Sequence, residues 1–148
     1  MIAVVAALIE FEGKVLVCQR RRGSRFALQW EFPGGKVEPG EDFSAALQRE
    51  LFEELGILAA IGPEVYRTVF KYRELRDSTQ LVFFAASAHP DEIRNLEFER
   101  IEWRHPSTLA GLDFLPADRE LVAMLASGKQ KIPDDWKNVL QTPASDAC

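Results

Sequence analysis

The sequence reads as an α/β domain, and three observations predict it. Two runs at the start, Ile2 to Ile9 and Val15 to Cys18, are almost continuously apolar, as strands are when a sheet is covered on both faces. The segment Asp42 to Leu55 carries Phe43, Leu47, Leu51 and Leu55 at every fourth position, the stripe of an amphipathic helix. Two β-rich runs follow it, Val65 to Tyr72 and Gln80 to Ala88. A chain of 148 residues has room for one domain with a sizeable core, and 47% hydrophobic with 28% charged residues is ordinary for a soluble globular protein.

Taken in order, the first two runs pair around a turn at Glu12-Gly13. The first has no basic leader and runs into Glu10 and Glu12, so it is not read as a signal peptide, and it is too short to span a membrane. Gln19 to Arg25 is a basic loop, and Leu28 to Lys36 leads through Pro33-Gly34-Gly35 into a charged, glycine-rich turn. Asp42 can cap the helix that follows, and Gly56 can close it in a left-handed turn. The later β-runs form a hairpin across the polar Arg73–Ser78 segment. His89 to Glu92 is a connection, and Phe114-Leu115-Pro116 opens a last helix, roughly Ala117 to Ala126. The expected domain is 1–128, with 129–148 a loosely held tail.

The charge pattern narrows the chemistry. A net charge of −5 argues against binding long nucleic acids, which need a basic footprint. Cys18 and Cys148 suggest neither a disulfide framework nor a Cys/His metal site, which suits a reducing cytoplasm. Neither His89 nor His105 has a partner spacing that points to catalysis. The helix, by contrast, places Glu50, Glu53 and Glu54 at i, i+3 and i+4 on one face, where like charges repel. Either this is a solvated acidic face or it awaits a hard cation such as Mg²⁺, which takes carboxylates together with phosphate oxygens. Around it stand residue types suited to a nucleotide. Arginine forks match phosphate, Phe32 offers a flat face to a base, and Gly34 and Gly35 let backbone approach a ligand.

The spacing of the whole stretch then resembles a known pattern. Gly35, five residues, Glu41, seven residues, Arg49-Glu50-Leu51, one residue, Glu53-Glu54, one residue, Gly56-Ile57 matches the Nudix box at every fixed position. Trp30-Glu31-Phe32-Pro33-Gly34-Gly35-Lys36 resembles the corresponding segment of MutT-type Nudix hydrolases. The resemblance implies an α/β/α sandwich around a mixed sheet and hydrolysis of a nucleoside diphosphate linked to a further moiety, with Mg²⁺ or Mn²⁺. It implies Glu53 and Glu54 as metal ligands, Glu50 as third ligand or general base, and Arg49 as the residue that orients a catalytic glutamate. It also implies the Gly34 carbonyl on the metal and a further acid at Glu97, with Glu99 as fallback.

On the substrate side it implies phosphate contacts from Arg20 and Lys36, a contact near Arg73 at the hairpin, and a base-reading residue at Asp118. Gly35 and Phe32 complete the expected binding set. MutT enzymes carry asparagine at the position of Asp118, and this departure favours a donor-rich base edge such as the cytosine amino group. The expected reaction converts CTP, dCTP, 5-modified dCTP or 8-oxo-dGTP to the nucleoside monophosphate and pyrophosphate. Its expected role is nucleotide-pool sanitation, a form of DNA repair, by a cytoplasmic monomer or homodimer. ADP-ribose, a dinucleoside polyphosphate or an RNA 5′ end are the alternative substrates, and a non-catalytic nucleotide sensor is the alternative function.

Overall fold

A computed structural model describes residues 1–140. Strands β1 (Ile2–Phe11) and β2 (Lys14–Gln19) are joined at Glu12-Gly13, where φ is 50° and 81°. Two positive φ values in a two-residue loop are what a tight hairpin turn needs, and Gly13 accepts one without strain. The two strands pair only at Glu10↔Val15 and Phe11↔Lys14 and then part.

On that same edge β1 goes on to pair antiparallel with β4 (Gly34–Lys36), and on its other edge it runs parallel to β6 (Thr79–Ser87) from Ile2↔Thr79 to Ile9↔Ala86. Strand β5 (Ala60–Phe70) pairs antiparallel with β6, with irregularities between Ile61 and Tyr66. The short β3 (Trp30–Glu31) and β7 (Arg100–Arg104) both pair with β2. Parallel and antiparallel pairings therefore meet in one mixed sheet.

The continuous apolar runs have a direct explanation in this sheet. Val5, Ala7 and Ile9, with Leu16 and Cys18, enter one core with Leu47, Leu51 and Leu55 of helix α1 (Phe43–Leu55). Their neighbours Ala6 and Leu8, with Val15 and Val17, enter a second core with Leu121, Val122 and Leu125 of helix α2 (Arg119–Ser127). Successive strand residues point to opposite faces, and each face has a helix over it. Asp42 caps α1 through its side chain, accepting from the Ala45 N–H at 2.7 Å, and Gly56 ends it at φ 68°.

Two expectations are corrected. The last main helix starts at Arg119, because Pro116–Asp118 forms a separate 3-10 turn. The segment after Gly128 is also docked rather than loose as far as it is described. Its short helix α3 (Trp136–Leu140) seats Trp136 over Gly62, where an added Cβ would come within 2.5 Å of the ring. Lys137 Nζ donates to Glu10 Oε2 at 2.8 Å and to the Glu10 carbonyl at 3.0 Å. Trp136 and Lys137 together tie the segment to the sheet. The expected tail over residues 141–148, with Cys148, lies outside the described residues. Among the described residues no helix is long and apolar enough to cross a membrane.

Candidate active site

The β3–β4 turn brings backbone against helix α1. A Cβ at Gly34 would lie 2.0 Å from the Val5 carbonyl oxygen, and a Cβ at Gly35 would lie 2.3 Å from Glu50 Cδ. Gly34 thus permits the strand pairing, and Gly35 leaves room for a carboxylate. Gly35→Ala is expected to push Glu50 aside and lower kcat about a hundredfold, while circular dichroism shows the fold retained.

Glu54 turns inward from α1, and its Oε1 accepts from the Gly34 N–H at 2.9 Å. Burial, with Glu31 and Glu50 nearby, pushes its pKa up to about 9. Burial also raises Glu31 against the pull of Arg20, and raises Glu50 against the pull of Arg49. Glu97 adds its charge to both Glu31 and Glu54. A cavity of about 110 Å³ is walled by Glu31, Glu54 and Glu97 together with Arg20 and Arg21. Among the described residues no three acids stand close enough to enclose an ion as they are placed. The donor set nevertheless suits a hard divalent cation, since crowded carboxylate oxygens are what such an ion binds and their repulsion is what it relieves.

Arg49 is the hub of the outer side. Its Nε and Nη2 fork onto both oxygens of Glu41 at 2.7 and 3.0 Å, and its Nη1 donates to Glu50 at 2.9 Å. Nη2 also donates to the Lys36 carbonyl at 2.9 Å, and Glu53 lies 3.5 Å from Nη1. The fork holds the Glu41 carboxyl down at about 2. Glu53 itself is 57% exposed and lines neither cavity.

Beside the acids lies a larger cavity of about 370 Å³, within the range of small-molecule sites. Phe26, Phe32, Tyr72, Leu115 and Asp118 line it, and so do Glu31, Glu54, Gly34, Gly35, Lys36 and Arg20. Phe32 also packs on Phe83 and Phe114, so it serves the core and the cavity together. Asp118 stands at the start of α2 but makes no capping bond with its side chain. It is 4% exposed, and burial, then the charge of Glu31, raises its pKa well above the usual carboxylate range. This shift is toward the acid form, which donates as well as accepts, whereas the carboxylate expected from sequence only accepts.

The structure does not bring every expected residue here. Arg73 is exposed and lines neither cavity; Tyr72, one position earlier, takes the place expected for it. Hairpin length is poorly fixed by sequence pattern, which explains the slip. Glu99 Oε1 accepts from the backbone N–H of Arg22 at 3.3 Å instead of joining the acids, which leaves Glu97 as the better candidate. Glu31 and Phe26 were not singled out from sequence. For Glu31 a signal existed in its place between two aromatics next to Pro33-Gly34-Gly35. Phe26 has a left-handed backbone (φ 60°) that no sequence pattern announces.

Comparison with known proteins identifies the family. The NUDIX domain family matches residues 1–125. The chain is 38% identical over 138 residues to a protein of Escherichia coli K12 named CTP pyrophosphohydrolase, covering 91% of this chain and 98% of that one. It is 37% identical over 133 residues to the nucleoside triphosphatase NudI of Salmonella paratyphi B, covering 82% and 94%. The solved MutT protein of Methanosarcina mazei superposes with a TM-score of 0.75 at 29% identity, over 88% of this chain and 96% of that one. Proteins of this family generally use divalent metals. With the family match running over most of its length, the chain belongs to the Nudix hydrolase family.

Proposed function

We propose that this chain is a pyrophosphohydrolase that converts a cytosine nucleoside triphosphate to its monophosphate and pyrophosphate, with a role in nucleotide-pool sanitation. One observation carries the reading. A single cavity is walled by aromatic side chains and a buried acid on one hand, and by Glu31 and Glu54 on the other. A base and a polyphosphate joined in one molecule suit it. The names of the two curated relatives, a CTP pyrophosphohydrolase and a nucleoside triphosphatase, support the substrate class.

A protonated Asp118 can donate to the cytosine ring nitrogen and accept from its amino group, a two-point match. The same donor–acceptor pair suits an oxidised guanine edge, so 8-oxo-dGTP is the second substrate to test. Phe32 and Tyr72 border the base, and Arg20 and Lys36 border the phosphates. Glu50, Glu53, Glu54 and Glu97, with the Gly34 carbonyl, would hold Mg²⁺ or Mn²⁺, which neutralises charge developing on the phosphates. Water's oxygen bonds to one phosphorus of the α–β bridge. The bond from that phosphorus to the bridging oxygen breaks, its electron pair staying on the oxygen. The water proton passes to a carboxylate, for which Glu50, Glu53 and Glu97 are the candidates.

The test is a screen of CTP, dCTP, 5-modified dCTP and 8-oxo-dGTP with Mg²⁺, with products identified. Monophosphate plus pyrophosphate supports the reading, and diphosphate plus orthophosphate opposes it. Within that screen Asp118→Asn, which copies the neutral acid, is expected to keep kcat/KM for the preferred base within a few-fold. Asp118→Ala is expected to lose about ten- to a hundredfold. A large loss in the asparagine variant would show that the ionised form is the one that reads the base.

A further inference from the structure

Arg20 is the arginine expected on phosphate, yet much of its fork is already engaged. Its Nη1 donates to Glu31 Oε2 at 3.0 Å and its Nε to the Arg25 carbonyl at 2.7 Å. Arg21 differs. It lines the same cavity of about 110 Å³ as Glu31, Glu54 and Glu97. Its own backbone is fixed by Ser24, whose hydroxyl and N–H both donate to the Arg21 carbonyl, at 2.6 and 3.3 Å. Among the described residues, however, its guanidinium has no hydrogen-bond or ion-pair partner.

Arg21 is exposed, so a guanidinium bordering these acids and paired with none of them is free to meet an anion held there. The acids call for a cation and the arginine for an anion, and a metal-chelated polyphosphate supplies both. Arg22 offers a contrast on the same loop: its backbone N–H is tied to Glu99, and it lines neither cavity.

We propose that Arg21 is a further phosphate-binding residue, gripping the β- and γ-phosphates that become the pyrophosphate product. The assignment rests on the triphosphate reading above. It adds a residue the Nudix box does not contain and gives the site a reason to prefer triphosphates over diphosphates.

Calorimetric titration of pyrophosphate with Mg²⁺ into wild type, Arg21→Gln, Arg21→Lys and Arg22→Gln tests it without turnover. Arg21→Gln is expected to weaken binding roughly ten- to a hundredfold. The lysine variant should fall between, because it keeps the charge but loses the fork, and Arg22→Gln should stay within twofold of wild type. In kinetics, Arg21→Gln is expected to raise KM for the triphosphate with kcat within a few-fold, and to change KM for the matching diphosphate much less. Equal binding by the two glutamine variants overturns the proposal, and so does a wild-type chain that does not bind pyrophosphate. Arg21-dependent pyrophosphate binding in a chain that releases no monophosphate would sink the triphosphate reading while leaving the Arg21 assignment standing.

Discussion

Glu54→Gln is expected to silence turnover and, in metal-free buffer, to raise the melting temperature. The two effects have one cause. Glu54 is held inside a cluster of like charge, and its pKa is pushed from 4.5 to about 9. At pH 7 the folded chain keeps this acid protonated, whereas the unfolded chain ionises it. The folded state therefore binds more protons, and stability falls as pH rises from about 4.5 towards 9. At about 1.4 kcal/mol per pH unit, the cost at neutral pH is on the order of a few kcal/mol. Glutamine still accepts from Gly34 and carries no such cost, so its melting temperature should be about 5–10 °C higher at pH 7. It should also decline less steeply than wild type between pH 5 and 8, with Glu31, Glu50 and Asp118 keeping some of the slope. Saturating Mg²⁺ should narrow the gap by stabilising wild type more than the variant. Turnover should fall at least a thousandfold, since glutamine offers no anionic ligand. Thermal melts with and without chelator, beside steady-state rates, check both halves. A variant that melts below wild type at pH 8 without metal would refute the account.

Arg49→Ala is expected to cut kcat about a hundredfold with a smaller change in KM. Arg49 joins the loop acid Glu41 to the helix acid Glu50 and to the Lys36 carbonyl. Without it Glu41 and Glu50 have no cation of this geometry between them, and the loop that carries Gly34 and Gly35 loses its tie to α1. Arg49→Lys should recover little, because an ammonium cannot span both oxygens of Glu41 while also reaching Glu50 and Lys36. Kinetics of both variants against wild type decide it. Activity restored by lysine would mean that charge alone, rather than the fork, was needed.

Most of the fold was legible because its signals are local. The strand runs, the Glu12-Gly13 turn, the Asp42 cap and the Gly56 stop each depend on a few adjacent residues, and each appears where expected. What could not be read was set by distant contacts. Trp136 finds Gly62 and Lys137 finds Glu10 only after the sheet exists. The site divides the same way. Spacing along one helix announces Glu50, Glu53 and Glu54, but which of them turns inward depends on the Gly34 backbone, and that choice falls on Glu54. Burial of Asp118, which pushes its pKa upward, is likewise a tertiary fact.

Trp136, seated on Gly62, lies beyond residue 125, where the match to the NUDIX domain ends. The indole works as a doorstop on the face of the outermost strand, filling the space above a glycine that has no side chain of its own to cover that backbone. A recombinant version trimmed at residue 125 would keep every acid of the site and leave that face bare, so its shelf life, rather than its chemistry, would be what suffers.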